Sequence, residues 1–168
     1  LTAWLGLAKI GAVLVPLNTN VTALELQHVL ENGDVARALV DAGSFSLFAG
    51  TDAGARLSAD GRVVLSDAGD STAGWEALLA RSSPAFDYAS DVGLDDPVSI
   101  IFTSGSTGRP KGCVLTHRYW LTLGKAKASM LPPCQRIMCE LPFYYMSPYS
   151  RFSVALYHAA AICVPPGP

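Results

Sequence analysis

Charged residues are scarce in this sequence. Asp, Glu, Lys and Arg make up only 15% of its 168 residues, and the formal net charge is −2. Such a small charge gives no reason to expect a nucleic acid or an anionic membrane as a partner, because both select strongly basic proteins. Half of the residues are apolar, so we also expect part of the apolar surface to pack against structure outside this sequence.

Long apolar runs and paired cysteines are missing too. No apolar stretch is long enough to span a membrane, and no signal peptide is visible after Leu1. The cysteines are scattered, without a C-x-x-C pair or a histidine at metal-ligand spacing; they are Cys113, Cys134, Cys139 and Cys163. This pattern is typical of reduced cysteines in a cytoplasmic protein, and it predicts no metal site built by this chain alone.

A run of small residues, TSGSTGRPKG, occupies positions 103–112. It directly follows residues 98–102, an apolar and β-branched stretch that predicts a buried strand. Small residues after a strand let the backbone bend tightly and present consecutive N–H groups to an anion. Hydroxyl donors and one ammonium group come from Ser104, Ser106, Thr107 and Lys111. The run is therefore predicted to bind phosphate.

This loop differs from the two best-known phosphate-binding motifs. A Walker A loop has glycine before its lysine and a hydroxyl after it, whereas Pro110 precedes and Gly112 follows Lys111 here. Gly105 and Gly108 also lack the spacing of the dinucleotide fingerprint G-x-G-x-x-G. Since no hydroxyl follows the lysine to hold Mg²⁺, the mechanism of P-loop NTPases does not transfer to this loop.

The rest of the sequence alternates predicted helices with predicted strands. The pattern indicates helices over residues 2–10, 22–33, 75–79, 116–130 and 148–160, and strands over 13–15, 38–40, 62–65, 98–102, 137–139 and 161–164. The first helix is apolar nearly all round and is expected to be buried on several sides. Residues 50–95 have poor periodicity and are expected to form surface structure. The alternation predicts a layered α/β fold with a mostly parallel sheet and flanking helices.

Residues 103–112, together with the following CVLTHR, resemble the AMP-binding signature of the acyl-adenylate-forming enzymes. That family includes acyl-CoA synthetases, luciferases and the adenylation domains of peptide synthetases. Residues 6–18 resemble its early helix and strand, and residues 141–145, LPFYY, resemble its L-P-x-F-H motif. The three matches follow the family's order. Within the family, residues 6–18 look most like acyl-CoA ligases of the carnitine/crotonobetaine-CoA or fatty-acyl-CoA type.

The resemblance implies ATP-dependent activation of a small-molecule carboxylate. The carboxylate would attack ATP, release pyrophosphate and become an acyl-adenylate, and coenzyme A would then take the acyl group as a thioester. Mg²⁺ would share the charge of the phosphates. The phosphates would be bound by Thr103, Ser104, Gly105, Ser106, Thr107, Gly108 and Lys111. Lys111 would also be catalytic, because it neutralises charge that develops on the phosphates.

Tyr145 stands where the family commonly has the histidine of L-P-x-F-H. A tyrosine keeps a flat ring and a hydroxyl donor but supplies no imidazolium charge. The resemblance implies a catalytic or acyl-lining role for Tyr145, and core packing of Phe143, Tyr144 and Tyr145 stays the alternative. His117 is interpreted as a structural residue at a helix start, and Arg109 as solvent-facing.

Residues 1–168 are expected to be an internal fragment of the family's large N-terminal domain, without its mobile C-terminal domain. No Y-G-x-T-E-like segment, T-G-D or late catalytic lysine is found, so the fragment is expected to be inactive alone. Two alternatives stay open: a peptide-synthetase or luciferase-like adenylation domain, and a truncated, non-catalytic nucleotide-binding protein. The sequence does not determine the carboxylic acid, the acceptor thiol or the oligomeric state.

Overall fold

The computed structural model describes residues 1–66, 74–83, 91–103 and 108–165. Within them the chain forms, in order, α1 Thr2–Lys9, α2 Ala23–Asn32, β1 Ala38–Val40, α3 Ala42–Ala49, α4 Asp52–Ala59, β2 Val63–Leu65, α5 Trp75–Arg81, β3 Pro97–Thr103, β4 Lys111–Thr116, α6 His117–Met130, β5 Arg136–Met138, α7 Met146–His158 and β6 Ala161–Cys163. None of these described helices is long and apolar enough to cross a membrane.

The strands of the described residues pair two by two. β1 and β2 are parallel and connected through α3 and α4, while β5 and β6 are parallel and connected through α7. β3 and β4 form a further pair. Helices that connect parallel strands confirm the α/β layering expected from the sequence. The strand predicted at 13–15 is reduced to one parallel bridge between Leu14 and Ser99, since Pro16 has no N–H to extend the ladder.

Side-chain caps explain where four of the helices begin. Each cap accepts a hydrogen bond from the backbone N–H three residues later, and the caps are Thr22, Asp41, Thr51 and Thr116. The predicted capping box of α2 is confirmed, because the Glu25 carboxylate also accepts from the Thr22 N–H and this bond lowers the pKa of Glu25. The expectation for residues 50–95 needs correction, since the capped helix α4 buries Leu57 there.

The chain divides into two compact units, each named after the side chains that fill its core. The aromatic unit consists of Leu1–Pro16, Tyr88–Ile101 and Cys113–Pro168. The aliphatic unit consists of Leu17–Asp87 and Phe102–Gly112. The end of β3 and the start of β4, which flank the predicted phosphate loop, therefore belong to the aliphatic unit.

Rings packed edge to face fill the core of the aromatic unit. The Trp4 ring centroid lies 4.7 Å from that of Tyr149 and 5.6 Å from that of Trp120. The Trp120 indole N–H donates to the buried Ser99 hydroxyl at 3.0 Å, which ties α6 to β3. The prediction that α1 is buried on several sides is wrong. Only the face with Trp4 joins this core, and Leu5 is 42% exposed.

Aliphatic side chains dominate the core of the aliphatic unit. Its buried members are Leu26, Leu30, Val40, Phe48, Ala53 and Leu57. α3 and α4 meet at a tight corner, where Thr51 Oγ1 donates to the Phe48 carbonyl oxygen and accepts from the Gly54 N–H. The corner brings two helices of modest length into one cluster with α2, the helix that carries His28.

Candidate functional site

The two ends of the predicted phosphate loop lie side by side in the aliphatic unit. Thr103 ends β3, Lys111 begins β4, and both residues are exposed. The Thr103 hydroxyl donates to the Lys111 carbonyl oxygen at 3.5 Å. The structure thus brings together two of the predicted site residues. The others between them, namely Ser104, Gly105, Ser106 and Thr107, lie outside the described residues, and their part in the site stays a prediction.

Gly108 and Pro110 restrict the backbone that leads into Lys111. Gly108 has a φ of 90°, a conformation that residues with a Cβ rarely adopt. A Cβ at Gly108 would meet no heavy atom within 4 Å, so the backbone conformation rather than a lack of space calls for glycine. The ring of Pro110 fixes φ immediately before Lys111. This arm of the loop is therefore preorganised by its own covalent geometry.

The Lys111 ammonium is available to an anion. The residue is exposed, and none of the ion pairs found among the described residues involves it. Arg109 is exposed as well, in agreement with its predicted solvent-facing position. A loop that carries an ammonium, a hydroxyl and a glycine-containing backbone can both neutralise a phosphate group and donate hydrogen bonds to it.

His28 of α2 contacts both arms of the loop, and no local sequence pattern indicates it. His28 Nε2 lies 3.0 Å from the Pro110 carbonyl oxygen. A carbonyl oxygen only accepts, so Nε2 carries the hydrogen and donates it. The same ring meets Phe102 edge to face, with centroids 6.4 Å apart. Since the contact with Pro110 joins residues 82 positions apart, it could be found only once the chain was folded.

Tyr145 lies in the aromatic unit at the N-cap of α7. It is 46% exposed, and its ring centroid lies 4.5 Å from that of Tyr144. Desolvation and the neighbouring Tyr145 hydroxyl raise the pKa of Tyr144. Phe143 instead packs on the aromatic core, 5.5 Å from Tyr149. The core-packing alternative therefore holds for Phe143 and does not hold for Tyr145.

A family model spans the whole chain. The family described as AMP-binding enzyme matches residues 1–168, which include the loop and both flanking motifs. The chain belongs to this family. The resemblance seen in the loop, in residues 6–18 and in residues 141–145 is confirmed by that match.

Two curated relatives of this chain are CoA ligases. The crotonobetaine/carnitine–CoA ligase of Salmonella paratyphi A is 33% identical over 117 residues, which cover 68% of this chain and 23% of the relative. The ligase of the same name from Salmonella typhi is 32% identical over 123 residues, with the same two coverages. The chain thus spans less than a quarter of the length of these relatives.

Solved structures of similar proteins share the fold of this chain. The N-terminal domain of FACL13 from Mycobacterium tuberculosis, bound to an inhibitor, aligns with a TM-score of 0.78 and 26% identity over 97% of this chain and 40% of its own. ATP-bound MatB from Rhodopseudomonas palustris aligns with a TM-score of 0.74 and 26% identity over 96% of this chain and 31% of its own. These likenesses confirm the α/β fold class as part of the N-terminal domain of an adenylate-forming enzyme.

Two cavities in the described residues contain none of the predicted site residues. One, of about 420 Å³, lies in the aliphatic unit beside Glu31 and Arg56. The other, of about 410 Å³, lies in the aromatic unit and is lined by Trp4 and His117. Within the described structure, the Trp4 indole N–H and His117 Nε2 are buried without a partner. His117 has the predicted helix-start position, and its backbone N–H donates to the Asp96 carbonyl oxygen.

Proposed function

We propose that this chain is an internal part of the N-terminal domain of an AMP-forming acid–thiol ligase and carries the pyrophosphate-binding loop of that enzyme. The match of the AMP-binding family to all of residues 1–168 carries the proposal. The similar CoA ligases support it, and their greater length supports the interpretation as a fragment. Exposed apolar side chains such as Leu24, at 75%, and Leu156, at 63%, agree with packing on further structure.

The proposed reaction first joins a carboxylate to ATP. A carboxylate oxygen attacks the α-phosphorus, the bond from that phosphorus to the oxygen bridging to the β-phosphorus breaks, and pyrophosphate leaves. In the second step the thiol of coenzyme A attacks the acyl carbon, forms the thioester and releases AMP. Negative charge builds up on pyrophosphate as it leaves. Electrostatic stabilisation of that charge is the main contribution expected from the loop.

Lys111 and its neighbours would supply this stabilisation. Lys111 and Thr103, which carry an ammonium and a hydroxyl group, stand at the adjacent ends of the loop. The N–H groups and hydroxyls of residues 104–108 would complete the binding of the β- and γ-phosphates. His28 would hold the loop in place through its bond to Pro110. No group of three His, Cys, Asp or Glu side chains among the described residues is placed to hold a metal ion. Mg²⁺ would add positive charge beside the phosphate oxygens, and we expect its protein ligands to come from the remainder of the protein, beyond residues 1–168.

Tyr145 would line the acyl site. Its ring is exposed and rests against Tyr144 rather than in the aromatic core. A phenol donates a hydrogen bond to a carboxylate oxygen but carries no positive charge. Tyr145 would therefore orient the acid without neutralising it.

Carboxylate-dependent exchange of labelled pyrophosphate into ATP tests the first step, in the protein extended by the remainder of its reading frame. Lys111→Ala should lower the exchange rate by about a hundredfold, because one charged donor to the phosphates is lost. Arg109→Ala is the matched control, and removal of this exposed cation should change the rate by less than about twofold. Equal losses in the two variants would contradict the role assigned to Lys111.

The chain by itself should bind ATP weakly and form no acyl-adenylate. The reading frame after Pro168 should encode a Y-G-x-T-E-like segment, a T-G-D and a late lysine. A stop codon shortly after Pro168 would instead favour a truncated, non-catalytic nucleotide-binding protein, and acyl-adenylate made by the chain alone would contradict the fragment interpretation. Thioester formed with coenzyme A rather than with a carrier protein would exclude a peptide-synthetase domain. The need for ATP and coenzyme A and the free cysteines support a cytoplasmic location.

A further inference from the structure

Cys134 and His158 form a thiol–imidazole pair in the aromatic unit, although 24 positions separate them. Cys134 Sγ lies 3.3 Å from His158 Nδ1. The other ring nitrogen, Nε2, lies 3.1 Å from the Ala128 carbonyl oxygen. Because a carbonyl oxygen only accepts, Nε2 is the nitrogen that carries the hydrogen when the ring is neutral, and the lone pair of Nδ1 then faces the thiol. A proton acceptor is thus already aimed at the sulfur.

Helix packing holds the pair in this arrangement. Ala128 lies on α6 and His158 is the last residue of α7. These two helices approach closely at Gly124, where an added Cβ would lie 2.7 Å from the Ser153 Cβ. Pro132 and Pro133 restrict the backbone between α6 and Cys134. The imidazole is therefore fixed before any reagent arrives, and the thiol needs no rearrangement to meet it.

The other cysteines differ from Cys134 in surroundings and exposure. Cys113 is exposed, Cys163 is partly buried, and Cys139 is buried with its thiol directed at the Leu141 carbonyl oxygen. Among the described residues no hydrogen bond joins a histidine to any of these three. If exposure alone set the reactivity, Cys113 would be the most reactive thiol. If a positioned proton acceptor sets it, the partly buried Cys134 is the most reactive.

We propose that Cys134 is a modification site that forms mixed disulfides with small disulfides, assisted by His158. The thiol proton moves to His158 Nδ1, and the Cys134 sulfur attacks one sulfur of the incoming disulfide. A new sulfur–sulfur bond forms, the old one breaks, and the leaving thiolate takes the proton from the imidazole. One thiol and one disulfide are consumed and one of each is made, so no further oxidant is required. This reactivity is independent of the phosphate loop and of the proposed ligase activity.

Oxidised glutathione is the probe, and the rate of its attachment to each cysteine is followed in one reaction by peptide mass spectrometry. Cys134 should react about fivefold faster than Cys113 in the unaltered chain. His158→Gln keeps a hydrogen-bond donor for Ala128 but removes the proton acceptor. This variant should lower the rate of mixed-disulfide formation at Cys134 by about tenfold. The effect is smaller than the roughly hundredfold effect of a base in a closed enzyme site, because this pair is partly open to water. The rate at Cys113 should not change and is the internal control.

The rank order in the unaltered chain decides the proposal even if the variant folds poorly. Cys113 reacting as fast as Cys134 or faster would overturn it. A Cys134 rate that is the same with and without His158 would overturn it as well. Unfolding of the variant would be recognised by new reactivity at the buried Cys139, and the order of Cys134 and Cys113 would then stand as the test.

Discussion

The aromatic unit and the aliphatic unit bury apolar surface with different side chains. The aromatic core packs two tryptophans against Tyr149, whereas among the described residues Phe48 is the only buried ring of the aliphatic core. A buried indole or phenol brings a polar group that needs a partner. Ser99 is the partner of Trp120, and Trp4 has none for its N–H within the described residues. The stability of the aromatic core is therefore expected to depend on polar partners and on pH, whereas the stability of the aliphatic core is expected to depend on side-chain shape and backbone fit.

The largest effect is expected at the corner of the aliphatic unit. In Gly54→Ala the new Cβ would lie 1.9 Å from the Phe48 carbonyl oxygen. Backbone atoms cannot move aside as a flexible side chain can, so the corner between α3 and α4 must open. We expect a loss of about 4 kcal/mol in the free energy of unfolding, measured in urea, with faster hydrogen exchange in α3 and α4.

Gly6→Ala in the aromatic unit is the matched control for this substitution. A Cβ at Gly6 meets nothing within 4 Å in the exposed middle of α1, so the change should stabilise the helix by up to about 1 kcal/mol. Similar losses in both variants would show that backbone fit does not distinguish the corner from an ordinary helical glycine.

The next largest effect is a response of the aromatic unit to alkaline pH. Burial raises the pKa of Tyr149 to about 12, whereas an exposed tyrosine titrates near pH 10. Between these values the folded chain keeps a proton that the unfolded chain loses. Stability therefore falls as pH rises from about 10 to about 12, by about 2 kcal/mol in total. The aliphatic unit contains no tyrosine and should show no such loss.

Tyr149→Phe separates this effect from other alkaline titrations. The ring and its contacts with Trp4 and Phe143 are kept while the ionisable hydroxyl is removed. Urea unfolding at several pH values should show the loss in the unaltered chain and a smaller loss in the variant. Identical pH profiles for the two proteins would contradict the assignment to Tyr149.

An effect of comparable size is expected where α6 and α7 cross in the aromatic unit. In Gly124→Ala the new Cβ would lie 2.7 Å from the Ser153 Cβ and 3.1 Å from the Tyr157 ring. Crowding of about 3 kcal/mol is partly offset by about 1 kcal/mol of helix propensity, so a net loss of about 2 kcal/mol is expected. Adding Ser153→Gly removes the opposing Cβ, and a double-mutant cycle in urea should show coupling between the two positions. If the two substitutions changed the free energy of unfolding additively, the contact between positions 124 and 153 would not be the cause of the crowding.

Local signals made much of the fold predictable. Thr22 and Thr116 mark helix starts through residues only three positions away, and the apolar run at 98–102 identified β3 without knowledge of its neighbours. The helices α3 and α4 escaped prediction because their sequences are rich in Ala, Gly and Ser, which carry little periodicity. The burial of α1 was overestimated because an apolar sequence does not say how many neighbours a helix finds.

The candidate site likewise has one part that the sequence predicted and one part that it did not. Thr103 and Lys111 were recognised in one continuous motif, and the structure places them together. His28 reaches the loop from 82 positions away, and His158 reaches Cys134 from 24 positions away. No spacing rule within a single sequence reports such contacts, because they arise only when helices pack.

The smallest effects are expected at two residues with a positive φ, each of which follows a helix, one in each unit. Ala159 after α7 has a φ of 51°, and Asp34 after α2 has a φ of 46°. Both are in the left-handed region, where alanine is strained by about 1 kcal/mol and aspartate is better tolerated. Ala159→Gly should therefore stabilise the aromatic unit by about 1 kcal/mol, and Asp34→Gly should stabilise the aliphatic unit by about half as much, both measured as shifts of the urea midpoint. A larger gain at Asp34 than at Ala159 would mean that the side chains, and not the backbone conformation, set the cost of these two helix ends.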